Sequence, residues 1–113
     1  MAKITVDSLN ILKQYISGVM KRADHHAKSV NEIALTIAGA VAWKAEEITV
    51  MSDETGKTKN ALWLKVGKKK YALSYVHEQG IIELRKNNLR GVPIESFNNT
   101  TPTHRIKEIF ENL

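Results

Sequence analysis

The chain has 113 residues, of which 42% are hydrophobic and 26% charged, and its formal net charge is +5. That length and balance predict one globular domain spanning residues 1–113, with a single core, and exclude wholesale disorder; its α+β class follows from the pattern of elements below. Cysteine is absent, which excludes disulfides, thiol catalysis and thiolate metal sites and fits a reducing compartment.

Met1-Ala2-Lys3-Ile4-Thr5-Val6-Asp7 reaches an acidic residue before any apolar run develops, so no secretory leader is expected. The longest weakly charged stretch, residues 33–43, is about half of what a bilayer-spanning helix requires. A cytoplasmic protein with no membrane partner is the expectation. Residues 3–6 alternate polar and apolar and form a candidate edge strand. Asp7 or Ser8 then caps a helix with apolar positions Leu9, Leu12, Ile16, Val19, Met20 and Ala23. That spacing marks one face of a 3.6-residue period.

Ser29-Val30-Asn31-Glu32 has the S-x-x-E form of a capping box and predicts the start of a second helix. From residue 33 to 42 only Thr36 is neither apolar nor glycine, which predicts a helix surrounded on all sides. Ala34, Ala38 and Ala42 recur every four residues beside Gly39. A row of small residues admits a close neighbour, either the first helix or the same helix of a second subunit.

Residues 47–52, 60–66, 69–76 and 81–86 alternate and are rich in β-formers, predicting four strands in an antiparallel meander. Gly67-Lys68 suits a two-residue turn with glycine first, pairing Val66 with Lys69 and Leu64 with Tyr71. The turn at 77–80 pairs Val76 with Ile81 and Leu73 with Leu84. With Val50 placed opposite Leu62, one face collects Ile48, Val50, Leu62, Leu64, Val66, Tyr71, Leu73, Tyr75, Ile82 and Leu84. A slip of one residue would scatter that set. The other face carries the rows Glu47-Lys65-Lys70, Thr49-Trp63-Ala72-Arg85 and Met51-Ala61-Ser74-Glu83. Residues 87–100 read as loop, and Thr101 with Pro102 starts a last helix with the stripe Ile106, Ile109, Phe110 and Leu113. The predicted architecture is thus two N-terminal helices, a four-stranded meander and a C-terminal helix, with all helices on one sheet face.

Candidate chemistry is sparse. Gly56-Lys57-Thr58 looks like the tail of a phosphate-binding loop, yet Met51 stands where the required glycine belongs and the segment joins two strands. It reads as a hairpin. Asp24-His25-His26 is the densest ligand-like cluster, but neighbouring helical residues point about 100° apart and cannot both face one metal. Glu46 and Glu47 alternate faces at a strand entry, Asp53 and Glu54 sit in a loop, and no serine occupies a nucleophile elbow. No catalytic residue, cofactor or metal is assigned.

Two surfaces remain. Trp63 shares the outer sheet face with Lys65, Lys70 and Arg85, near Lys68 and Lys69 at a hairpin tip; such a mixture can stack bases and hold phosphates. The same face carries the apolar positions Met51, Ala61, Ala72, Val76 and Ile81, which suit a protein contact or a shallow groove. The loop bearing Leu89, Val92, Ile94 and Phe97 is the intramolecular candidate to cover that strip.

Two helices followed by a meander, with basic character and the stretch Val66-Gly67-Lys68-Lys69-Lys70-Tyr71-Ala72-Leu73-Ser74-Tyr75, is similar to the RelE/ParE-type toxins, some of which are ribosome-dependent ribonucleases. The resemblance implies RNA contact. The chain departs from that family in its second helix, where a neutral run replaces a basic one. The leading expectation is a non-enzymatic binding module, a homodimer or a partner of another protein, using Ala34, Ala38 and Ala42 or the face of Trp63 and Met51. The alternative is nucleic-acid binding through Trp63, Lys65, Lys68, Lys69, Lys70 and Arg85.

Overall fold

The computed structural model describes residues 2–52 and 58–113. Its elements run β1 (Ala2–Thr5), α1 (Leu9–His26), α2 (Ile33–Lys44), β2 (Glu47–Ser52), β3 (Thr58–Val66), β4 (Lys69–Val76), β5 (Ile81–Lys86), β6 (Pro93–Phe97) and α3 (Thr103–Glu111). The fold is α+β, and the strands form one antiparallel sheet in the order β1-β2-β3-β4-β5-β6.

The sheet is wider than the expected four strands. β1 pairs with β2 and turns the candidate edge strand into a real one, with Ile4 opposite Val50. Within the stretch expected to be loop, Pro93–Phe97 forms β6 against β5. Proline at the first residue of an edge strand gives up no ladder hydrogen bond, so Pro93 starts β6 without obstructing it. The segment around Val92 and Ile94 therefore widens the sheet instead of folding across its outer face, and both side chains stay exposed.

The expected register of the central strands is present. Val50 faces Leu62, Leu64 faces Tyr71, Val66 faces Lys69, Leu73 faces Leu84 and Val76 faces Ile81. Gly67 has φ 62° and Lys68 does not have a positive φ, the pattern of a turn with glycine first. Gly67→Ala should cost roughly 1–2 kcal/mol, because an L side chain is strained at that φ; the shift of a urea midpoint measures it. One row differs. The β2–β3 ladder shifts after Val50, and Ser52 faces Thr58, so Met51 is not paired with Ala61.

The inner face packs under the helices. Leu64, Val50, Leu84, Phe97, Ile106 and Phe110 are almost fully buried. α3 contributes Ile106, Ile109 and Phe110 from its predicted stripe and lies beside α2. The Phe97 and Phe110 rings sit 6.4 Å apart. Glu95 faces inward beside Leu84, where Arg105 of α3 meets it at 2.6 Å.

Helix α1 begins as expected at Ser8, whose Oγ accepts a hydrogen bond from the Ile11 N–H at 3.2 Å. The start of α2 does not use the predicted capping box. Ser29 Oγ donates instead to the Gly80 carbonyl at 2.9 Å. The first turn of α2 is capped from afar: Asn99 Oδ1 accepts from the backbone N–H groups of Glu32 and Ile33, both at 3.0 Å. Asn99 Nδ2 donates to the Lys28 carbonyl and to Asn31 Oδ1, each at 2.9 Å. Thr101 likewise does not cap α3, since its Oγ1 accepts from the Asn98 N–H.

Helix α2 is not surrounded. Ile33, Ala34, Ile37 and Val41 are buried, whereas Leu35 and Trp43 are 57% and 54% exposed. One flank of α2 therefore faces solvent, and Lys44 Nζ lies 5.3 Å above the Trp43 ring.

Candidate functional site

Helices α1 and α2 form a hairpin over the sheet, and the residues facing one another across it are small. Ala23 lies in the last turn of α1 and Ala27 is its C-cap, and Ala34 and Ala38 come from α2. Side chains that stop at Cβ leave volume that larger residues would fill. Here the helices do not close over it. A half-open cavity of about 200 Å³ lies between α1, α2 and the inner faces of β3, β4 and β5.

Among the described residues nineteen line it and thirteen of these are aliphatic, including Leu12, Ile16 and Val19 of α1, Ile37 and Val41 of α2, and Leu62, Leu73 and Ile82 of the sheet. The α1 side chains are only partly buried, because they border space instead of packing onto neighbours. The other six lining residues are Tyr15, Arg22, His26, Ser74, Tyr75 and His77. Among the described lining residues only His26 and His77 are exposed, which places a mouth of the cavity between the end of α1 and the β4–β5 turn. The His77 ring stands edge-on to Tyr75 at 6.1 Å. Among the described residues no buried side-chain nitrogen or oxygen lacks a hydrogen-bond partner, so no orphaned group in the wall demands a fixed water or ion.

Tyr15 is half-buried in the wall. Its hydroxyl points at the Ala61 carbonyl, 3.5 Å away, and burial pushes its pKa up to about 12, with the nearby Arg22 charge opposing that rise. The folded state thus holds the phenol neutral after an unfolded tyrosine has ionised near pH 10. The linkage has a definite sign: the contribution is fully present below pH 10 and is lost as pH rises from 10 to 12. Tyr15→Phe should therefore show a shallower fall of unfolding free energy across that window than the wild type, measured by urea titration at each pH.

The predicted interface residues separate. Ala34 is buried and Ala38 borders the cavity, so the near half of the alanine row faces α1 of the same chain, while Ala42 is exposed. Trp63 is half-buried on the outer sheet face, as the register requires, and Met51 is half-buried where the β2–β3 ladder shifts. Trp63, Lys65 and Lys70 border a second, more polar recess of about 270 Å³ together with Glu47, Thr49, Asn87 and Asn88. Lys68 and Lys69 are exposed at the hairpin tip. Arg85 is engaged within the chain: it pairs with Glu83 at 2.5 Å and donates from its guanidinium to the Gly91 carbonyl at 2.8 Å. Its charge is thereby partly neutralised.

His25 and His26 lie side by side at the end of α1 with ring centroids 6.1 Å apart. Among the described residues no three His, Asp or Glu side chains are gathered as a metal site, and no helix is long and apolar enough to cross a membrane. Gly56, Lys57, Asp53 and Glu54 lie outside the described residues.

What fold and site define is a small α+β protein with an antiparallel sheet, helices on one face, and an apolar recess beneath a helical hairpin. Residues 12–107 match the family described as Integron cassette protein VCH_CASS1 chain, and the chain belongs to that family. No curated protein matches it.

Proposed function

We propose that the protein is a non-enzymatic binding module that holds a small, mainly apolar molecule between α1, α2 and the sheet. The observation that supports this reading is the cavity itself: about 200 Å³, aliphatic over most of its wall, and open at one end. Ligand sites are typically concave and largely apolar, with a few polar groups that set orientation. An apolar cavity of roughly 150 Å³ already admits a benzene-sized guest. The absence of cysteine accords with a cytoplasmic site of action.

Calorimetric titration with 1-octanol tests the reading. Saturable binding is expected for the wild type and should be lost in Ala38→Leu, which places three more carbons in the cavity wall. Undiminished binding by a folded Ala38→Leu protein would overturn it.

A second reading, nucleic-acid binding, draws its support from Lys65 and Lys70 beside Trp63 and from Lys68 and Lys69 at the adjoining tip. Gel shifts with single-stranded RNA that weaken steeply as salt rises would favour it, since phosphate contacts release counterions. Self-association has its own support in the exposed Leu35 and Trp43 on α2, and light scattering at micromolar concentration measures it.

A further inference from the structure

Helix α2 carries a solvent-facing stripe that the cavity does not use. Leu35, Gly39, Ala42 and Trp43 are exposed along it. A step of four residues advances a helix by one turn and about 40°, so Leu35, Gly39 and Trp43 fall within an arc of roughly 80°. Residues 33–43 contain no charged side chain. Leu35 is 57% exposed, and Trp43 remains 54% exposed even with Lys44 Nζ over its ring. Large apolar side chains turned to water on one uncharged helix face suit a protein contact.

Gly39 supplies a second, independent observation. A glycine inside a helix costs stability relative to alanine, because it loses more backbone freedom on folding. A Cβ added at Gly39 would meet nothing within 4 Å beyond its own helical turn, so among the described residues nothing requires the smallest side chain there. A second backbone passing close by would require it. Gly39 also stands midway between Leu35 and Trp43, four residues from each. The stripe is thus its own complement when reversed.

We infer that this face is covered by a second copy of the chain, docked α2 against α2 about a two-fold axis beside Gly39. The two helices run antiparallel, so Leu35 of each protomer meets Trp43 of the other, and the closest approach falls on the two glycines. An antiparallel pair opposes the helix dipoles and sets one indole against one leucine at both ends. A parallel pair would align the dipoles and crowd two indoles at one end. α2 is 12 residues long, roughly 18 Å, so the contact lies at the small end of specific interfaces and gives a weak, concentration-dependent dimer. The inference goes beyond the cavity reading and does not depend on it.

Sedimentation velocity of the full chain between about 5 and 500 µM is expected to show a reversible monomer–dimer equilibrium. Gly39→Arg places two guanidinium groups on the axis and should weaken the dimer about tenfold or more, while the thermal midpoint of the dilute protein is unchanged or raised. Leu35→Glu and Trp43→Lys should each weaken the dimer as well. An equal mixture of those two variants should associate about threefold or more tightly than either alone, because each mixed dimer keeps one apolar pair and gains one pair of opposite charges. A wild type that stays monomeric at about 500 µM, a dimer unaffected by Gly39→Arg, or a mixture no tighter than its components overturns the inference. Calorimetric titration of the same proteins with 1-octanol reports on the cavity separately, so the two readings fail independently.

Discussion

Phe110→Ala is expected to destabilise the fold by roughly 3–5 kcal/mol, the range for emptying a fully buried aromatic site. Phe110 has no exposed surface. Its place in α3 follows from the stripe Ile106, Ile109 and Phe110. Its partner Phe97 ends β6, 6.4 Å away between ring centroids. Its removal therefore loosens the contact that fastens the edge strand to the helical layer. In a double-mutant cycle, Phe97→Ala and Phe110→Ala should be less than additive, with a coupling of roughly 0.5–1.5 kcal/mol from the ring pair. Strict additivity would show that each ring packs against the core independently. For domains near this size each kcal/mol lowers Tm by roughly 4–8 °C, so the single change is readable by calorimetry.

Asn99→Ala should cost roughly 2–4 kcal/mol, more than a surface polar residue normally does. Four hydrogen bonds of its side chain disappear together. Two of them satisfy N–H groups at the start of α2, where no intrahelical carbonyl is available. The other two hold the Lys28 carbonyl and Asn31 in the connection from α1. The backbone bond from the Asn99 N–H to the Ser29 carbonyl, 2.8 Å, is untouched by the substitution and keeps the segment in place. Ser29→Ala removes only an exposed bond to Gly80 and should cost less than about 1 kcal/mol. If the capping box operated as its sequence suggests, Ser29→Ala would be the more damaging of the two. Equilibrium unfolding of both variants settles the order.

That contrast shows where sequence reasoning succeeds and where it ends. The four central strands were legible because side chains alternate with a fixed period of two and because Gly67 fixes the phase of the hairpin. One correct turn then carries Leu62, Leu64, Leu73 and Leu84 to the same face. β6 was hidden for physical reasons. Its proline reads as punctuation, and its inward position Glu95 looks solvated until Arg105, ten residues later, arrives from α3. The Asn99 cap was hidden by distance, since Asn99 lies 67 residues from Glu32 along the chain. A local S-x-x-E pattern outcompetes such a partner on paper and loses to it in the fold.

The cavity was the least legible feature. Its residue types were in view: Ala23 and Ala27 at the end of one helix, Ala34 and Ala38 on the next. Facing alanines are equally compatible with helices in close contact and with helices held apart, and the choice depends on where the sheet and the Asn99 cap place the α1–α2 hairpin. The outer sheet face behaved in the opposite way. Trp63, Lys65 and Lys70 were placed correctly by register, and only the engagement of Arg85 with Glu83 and Gly91 needed coordinates.

Methyl-resolved NMR during titration with 1-octanol tests the central idea most directly, because it reports both occupancy and place. Saturable shifts confined to the methyl groups of Leu12, Ile16, Ile37, Leu62 and Ile82 are expected, with Ile94 of β6 and the adjoining Val92 unmoved. Shifts centred on the outer sheet face around Trp63, or no saturable shift at all, would contradict it.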